Sequence, residues 1–504
     1  MTRNLFLTFS VAVLAFLSIS CGGGGFSNIA TLPSELGLPR MPLQEDFPEA
    51  DGVYILDDDN VRMKVEDTRL VTYETIHRVK KLFKNIDDQA TVVIYVGDEE
   101  KLMNVRARTI KADGTPVELK AGDFYTSTGS GGGEIFYTDR TTVKFTFPAI
   151  EKNCLVEYSY TKLKQRPFVT DVWEIQHYLP TLRNTYTLTV PAILLQKESL
   201  GGYDWSWRYV AYGAIAVGKP SVIKPLNPGG STYSQEVVFS WSLQNIPAFQ
   251  PEPLMPSHEQ FMAYVKFAPS EWKDWNDISS WYYDKIFKPQ LVITDAIAHQ
   301  AKELTQSCRS ETEKIQSIYR FVQSFRYVAI ALGIGSIQPT VPQTVLDRQY
   351  GDCKDKSILL LSLLTSAGIA SNPVLVLTQD DGVLDPHFPS WNFNHMIVQA
   401  KTKNGEVFWL DGTARYCPLG KLPWQCEGIN VLVINNDGSS HLEKTPFSNH
   451  MVNETTIDVQ ADISAEQLGK FDVTIRYAGE HNFRYRNFFV DRTGDEGILQ
   501  GPCG

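Results

Sequence analysis

The chain predicts a multi-domain protein: an all-β, sandwich-like N-terminal domain, an α+β core, and a C-terminal β-rich segment that is incomplete as a domain. Three observations predict it. At roughly 100–200 residues per domain, a chain of this length has room for about three. Apolar residues alternate with polar ones from about 48 to 245 and again after about 450. Between those regions, apolar residues recur at helical spacing in three windows, and short strand runs follow.

The elements follow in chain order. Residues 1–20 read as a signal peptide: Arg3 supplies a positive charge, and Leu5 to Leu17 is an apolar run too short for a stable span. Leu17-Ser18-Ile19-Ser20-Cys21, followed by four glycines, resembles a bacterial lipoprotein signal. Cys21 would then carry the lipid, although Ser18 stands where leucine is usual. Cleavage as an ordinary signal peptide is the alternative, and export follows either way. Residues 21–47 read as a lipid-anchored tether, placing the protein in a bacterial cell envelope, facing periplasm or cell surface.

The β-sandwich-like domain spans 48–245. Its strand runs include Thr91 to Val96 and the alternating sets Val156, Tyr158, Tyr160 and Tyr186, Leu188, Val190. Asp113-Gly114 and Asn227-Pro228-Gly229-Gly230 are turn signals. Prolines 247, 251, 253 and 256 mark residues 246–265 as an extended connector. The core spans 266–435. Its first helix is expected over Glu271 to Ile286, its second after the capping box Ser310-x-x-Glu313, and its third from Asp352. Strands are expected at Met396 to Val398, Val407 to Leu410 and Val431 to Ile434. The partial C-terminal domain spans 445–504, with Phe471, Val473, Ile475 and Tyr477 alternating with polar residues.

Composition narrows the function. The chain is 43% hydrophobic and carries 47 basic against 58 acidic residues, a net charge of −11. Nothing in it offers the basic surface that counterion-driven binding to nucleic acid requires. Its seven cysteines are Cys21, Cys154, Cys308, Cys353, Cys417, Cys426 and Cys503. No C-x-x-C occurs, so no metal or cofactor is expected from motifs. Cys417 and Cys426 are near enough in sequence to pair as a disulfide.

Cys353 is the residue that points to chemistry. It lies in Gly351-Asp352-Cys353-Lys354-Asp355-Lys356, just before the run Ile358 to Leu364. Asp352 is a good N-cap and Gly368 a natural stop, which puts Cys353 in the first turn of a buried helix. Free amide groups and the helix dipole there favour a thiolate, the nucleophilic form of cysteine. A nucleophile of this kind needs a base, and the base needs an orienting acceptor. His395 opens one strand and Asp411 closes the next, and a short loop at 401–405 would bring them together as a hairpin.

Gly-Asp-Cys-Lys-Asp-Lys, then Asn-His-Met-Ile-Val, then Trp-Leu-Asp-Gly-Thr-Ala resemble the transglutaminase-like (papain-like) superfamily. The resemblance is nearest to exported bacterial members that carry this core behind a β-rich domain of unknown function. It implies Cys353 as nucleophile, His395 as general base and acid, Asp411 as the orienter, and Gln338 at the oxyanion site. Gly412 replaces the proline common in the family and is expected to loosen the turn after Asp411. A bridge between Cys417 and Cys426 would brace that loop. The resemblance implies acyl transfer through a thioester, as a protease or amidase on protein or peptide substrates at the envelope. An amine-accepting crosslinking transglutaminase, or a binding lipoprotein using the core as scaffold, are the alternatives.

Other candidates have plainer readings. Asp385 and His387 read as cleft-rim residues, and the Trp/Tyr set at 272–283 as packing. Asp57 to Asn60 lacks calcium-loop spacing and reads as a solvated turn. Gly129 to Gly133 reads as a flexible loop.

Overall fold

The computed structural model describes residues 38 and 40–486, except 67–68, 98–99, 129–134, 139–140, 165–170, 196–206, 224–234, 254, 270–271, 332–336, 464–468 and 484. The signal segment, Cys21, the Gly129–Gly133 loop, the Asn227–Gly230 turn and Cys503 lie outside the described residues. Among those described, no helix is long and apolar enough to cross a membrane.

The N-terminal region is built on one eight-stranded sheet. Its spatial order is Ser221–Ile223, Glu236–Ile246, Thr181–Pro191, Gly52–Glu66, Arg69–Leu82, Leu155–Lys164, Glu100–Ile110 and Pro116–Glu118. All neighbours are antiparallel except Gly52–Glu66 beside Thr181–Pro191. Two three-stranded sheets cover it. One is formed by Asp171–Glu174, Tyr264–Pro269 and Trp207–Tyr212, the other by Thr91–Val96, Thr141–Thr146 and Phe124–Thr128. The first layer buries Trp173, Val265 and Phe267 against Val61, Met63, Tyr186 and Leu188. The second buries Val92, Ile94, Val143 and Phe145 against Leu102, Val105, Ala107 and Val156. The period-two alternation of the sequence is what supplies these apolar faces.

Two sequence expectations are corrected here. Tyr264–Pro269 pairs with Asp171–Glu174 and with Trp207–Tyr212, so the N-terminal β layer reaches past the expected connector and core boundary at 265/266. Asp57, Asp58, Asp59 and Asn60 are not a solvated turn. They lie mid-strand, paired on both sides, with Asp57 and Asp59 buried. Their charge is matched by the buried Arg78, which pairs with Asp57 and, at 2.7 Å, with Asp59. His177 and Asn184 add bonds of 2.5 and 2.8 Å to Asp57. The partner residues are at least 18 positions away, so sequence could not show them. Burial pushes the Asp59 carboxyl up to about 7, with the neighbouring Asp57 adding to the rise and Arg78 opposing it. Arg78→Met is expected to cost ~3–5 kcal/mol, because it leaves two buried carboxyls without their cation. Chemical denaturation checks this; a loss below 1 kcal/mol would mean that Arg78 is dispensable.

The core begins with α1, Trp275–Tyr282. It starts four residues later than expected because the Asp274 carboxylate caps the amides of Asn276 and Asp277. A wider π turn over Tyr283–Phe287 continues it. Then come α2 (Asp295–Thr305), α3 (Glu311–Gln323), α4 (Pro342–Arg348) and α5 (Cys353–Ser366). Five antiparallel strands complete the core: β1 Ala370–Val376, β2 His395–Lys401, β3 Val407–Leu410, β4 Asn430–Ile434 and β5 Ser440–Lys444. Their order in the sheet is β3-β2-β1-β4-β5, so the core sheet runs beyond the expected limit at 435. Every residue of α5 from Lys354 to Leu364 is buried, with α2, α3 and α4 on one side and the sheet on the other. Such a helix is hydrophobic all round because it is enclosed all round. The Trp272, Trp275, Tyr282 and Tyr283 rings lie in this core, as packing residues.

The two regions meet at the loop before His395. Arg208 donates to the Pro389 carbonyl at 2.7 Å and Tyr212 Oη to Asp385 at 2.7 Å. From the core, Trp275 Nε1 donates to the Pro386 carbonyl at 2.9 Å. Ile135–Thr138 adds a parallel strand to Arg326–Ala331, whose other edge holds Tyr350–Gly351. After the core, Thr455–Ile463 and Gly469–Tyr477 form a two-stranded ribbon with exposed faces.

Candidate active site

The end of α5 is built around charge pairs. Asp352 caps the helix by accepting from the Asp355 amide at 3.2 Å, and its other oxygen pairs with Lys354. Asp355 accepts from the Thr340 amide at 2.7 Å and pairs with Arg348 at 2.5 Å. Gly351 is required for space, since a Cβ there would lie 2.6 Å from Asp355 Cβ. Lys356, fully enclosed, donates to the Phe325 carbonyl at 2.6 Å and to the Gly412 carbonyl at 3.2 Å. It therefore ties the helix of Cys353 to the turn that follows Asp411. In this end of the helix Cys353 alone is partly exposed. The surrounding salt bridges hold it there.

His395 opens β2 and Asp411 directly follows β3; the two strands pair antiparallel from Val398–Leu410 to Lys401–Val407. That hairpin brings His395 Nε2 to 2.9 Å from Asp411 Oδ2. The thiols of Cys353 and Cys426 both lie near enough to the His395 ring to favour its protonated form. Asp411 Oδ1 accepts from the Thr413 amide at 2.9 Å and the Thr413 hydroxyl at 2.6 Å. The buried Tyr319 hydroxyl donates to the Asp411 carbonyl at 3.1 Å. Thr413, Tyr319 and Lys356 thus hold the turn at Gly412, which sequence reading expected to be looser.

These contacts set the charges. Burial pushes the His395 imidazolium down, but the Asp411 charge and its hydrogen bond, aided by the two thiols, hold it well above the ordinary imidazole value. Burial pushes the Asp411 carboxyl up, yet His395 and the Thr413 bonds keep it below the usual range. The site therefore favours a buried imidazolium–carboxylate pair.

The structure brings together Cys353, His395 and Asp411. Gln338 lies in the loop before α4, half-buried, between Ile337, whose carbonyl accepts from Tyr282 Oη, and Thr340. Among the described residues, no hydrogen bond links the Gln338 side chain to these three. Asp385 and His387 stay at the rim, where Asp385 accepts from Tyr212 and from the His387 amide. The disulfide expected between Cys417 and Cys426 is not formed; both are free, buried thiols. The Cys417 thiol faces the Lys421 carbonyl at 3.4 Å, whereas Cys426 faces His395.

Sequence reasoning missed Cys426 and Lys356. Cys426 had no signal beyond being a cysteine behind Asp411. Lys356 had one: a lysine between an N-cap and a leucine run must be buried, and then needs partners. Lys356→Met is expected to cost ~2–4 kcal/mol by stranding two buried carbonyls. Thermal unfolding of otherwise intact protein measures it, and an unchanged midpoint would rule the tie out.

Residues 298–412 match the family model of the transglutaminase-like superfamily. Residues 72–250 match that of a domain of unknown function, DUF3857. The chain thus carries a transglutaminase-like core behind a DUF3857 domain. Among solved structures, it resembles a candidate protease from Parabacteroides distasonis at 15% identity and a TM-score of 0.58, over 82% of this chain and 78% of that one. That likeness shows the shared fold. A candidate cysteine protease from Cytophaga hutchinsonii matches at 12% identity over 60% of this chain and 95% of that one, with a TM-score of 0.22, too low to carry an argument. No curated protein matches the chain.

Proposed function

We propose that the protein is an exported cysteine acyl-transfer enzyme of protease or amidase type, anchored to the bacterial envelope through Cys21. The observation that carries this reading is the placement of one imidazole, His395, between the Cys353 thiol and the Asp411 carboxylate, with Asp411 at 2.9 Å. In the proposed reaction Cys353 gives its thiol proton to His395 and its Sγ attacks a peptide or carboxamide carbonyl, whose electrons move onto oxygen. Collapse of that intermediate expels the amine, which takes its proton from His395, and leaves a thioester on Cys353. His395 then takes a proton from water, the hydroxide attacks the thioester, and the acid leaves as the thiol reforms. Asp411 keeps the ring oriented and its charge compensated. Superfamily membership of the core and the fold shared with a candidate protease support this reading.

The test uses the full chain and its Cys353→Ala variant on peptide libraries, with and without a labelled primary amine. Hydrolysis by the wild type alone is the expected result. Label incorporation in place of hydrolysis would make it a crosslinking enzyme. Equal signals from both proteins would end the enzymatic reading.

A further inference from the structure

One buried thiol beside the site has no part in the proposed reaction. Cys426 lies in the single turn Trp424–Cys426 behind Asp411, 1% exposed, with its thiol beside the His395 ring. One ligand atom each from His395, Asp411 and Cys426 lies within 4.8 Å of the others. A tetrahedral zinc ion, with bonds of about 2.0–2.3 Å to N, O and S, holds its ligands ~3.3–3.8 Å apart. To reach that geometry the His395–Asp411 pair, now 2.9 Å apart, opens by about 0.4 Å and the Cys426 sulfur closes by about 1 Å at most. A ligand set of one sulfur, one nitrogen and one oxygen suits zinc and cadmium, and is unsuited to calcium or magnesium.

We infer that His395, Asp411 and Cys426 form an inhibitory site for a thiophilic divalent cation such as Zn²⁺. The ion takes the place of the proton shared by His395 and Asp411, and the Cys426 thiolate supplies the third ligand. Binding releases the Cys426 thiol proton and the ring proton on Nε2 to solvent; no electron changes hands. Three protein ligands leave one position open to water or to an incoming thiolate. With its ring nitrogen and Asp411 both engaged, His395 no longer serves as a base, so the ion silences the site until it is chelated. The rival explanation for Cys426 is packing alone, since it also belongs to an apolar cluster with Val374, Val376, Ile397 and Trp409. A packing residue does not need a thiol turned to an imidazole, and packing alone predicts no metal binding.

The inhibitory consequence rests on the proposed function; the binding does not. The experiment therefore uses Cys353→Ala, which has no nucleophile, titrated with Cd²⁺ and followed by thiolate-to-cadmium absorption in the ultraviolet. One ion per chain with a one-thiolate band is expected. The band should vanish in Cys353→Ala/Cys426→Ala, and affinity should fall at least tenfold in Cys353→Ala/His395→Ala, which keeps the Cys426 thiol. Far-ultraviolet circular dichroism checks that each variant is folded. No band in Cys353→Ala, or a band that survives the loss of Cys426, overturns the site. In the wild type, Zn²⁺ should abolish turnover and EDTA should restore it; binding without inhibition would leave the site intact and remove its regulatory role.

Discussion

His395→Ala slows alkylation of Cys353 by iodoacetamide at neutral pH by about tenfold or more. The reason lies in what the thiol faces. In the folded protein Asp411 holds His395 well above the ordinary imidazole value, which favours a positive ring beside Cys353. A thiolate next to an imidazolium is stabilised by their attraction, and iodoacetamide reports the thiolate. Removing the ring removes that charge. Mass spectrometry of the labelled peptides separates Cys353 from Cys308, the other partly exposed free thiol among the described residues. Should the two cysteines label with the same pH profile in the wild type, the ion-pair account is wrong. Turnover in this variant is expected to fall by about 10²–10⁴, the usual contribution of a positioned acid–base group.

Asp411→Asn keeps the shape of the site but removes its negative charge, and turnover is expected to fall by about 10²–10⁴. The pH dependence gives the sign. His395 has a raised value in the folded state, so its pairing adds stability that is complete below the ordinary imidazole range and lost as pH climbs through the folded value. Asp411 has a lowered value, so its part is complete above the ordinary carboxyl range and lost as pH falls through the folded value. The wild type therefore gains from this pair in the window between the two, centred on mildly acidic to neutral pH. Asp411→Asn should flatten the stability profile across that window, and the alkylation profile of Cys353 should move toward that of His395→Ala. A variant with the wild-type profile would show that Thr413, Tyr319 and the Gly412 turn position His395 without the charge.

Much of the core is legible along the chain because its signals are local. An N-cap, a leucine run and a stop glycine specify α5, and these residues act on backbone groups within a turn of themselves. The hairpin that unites His395 with Asp411 needs only two short strands and a short loop. Period-two alternation marked the β layers for the same reason. The errors arose where the partner is far away. Asp57 to Asp59 carry charge, and charge in an isolated sequence reads as solvent-facing; Arg78 and His177 change that only once the sheet is assembled. Tyr264–Pro269 follows a proline-rich stretch, yet its strand partners lie at 171–174 and 207–212.

By itself the sequence determined the order of domains, the helix that carries Cys353, and the identity of the three residues that meet there. Those depend on hydrogen bonds and side-chain patterns within one element or between adjacent ones. Only the tertiary structure decided what surrounds them. It placed Lys356 between α5 and the Asp411 turn, left Cys417 and Cys426 as free thiols, and set the Cys426 thiol beside His395. Such contacts depend on how separate elements pack, and a buried charge or thiol takes its role from whichever groups burial leaves beside it.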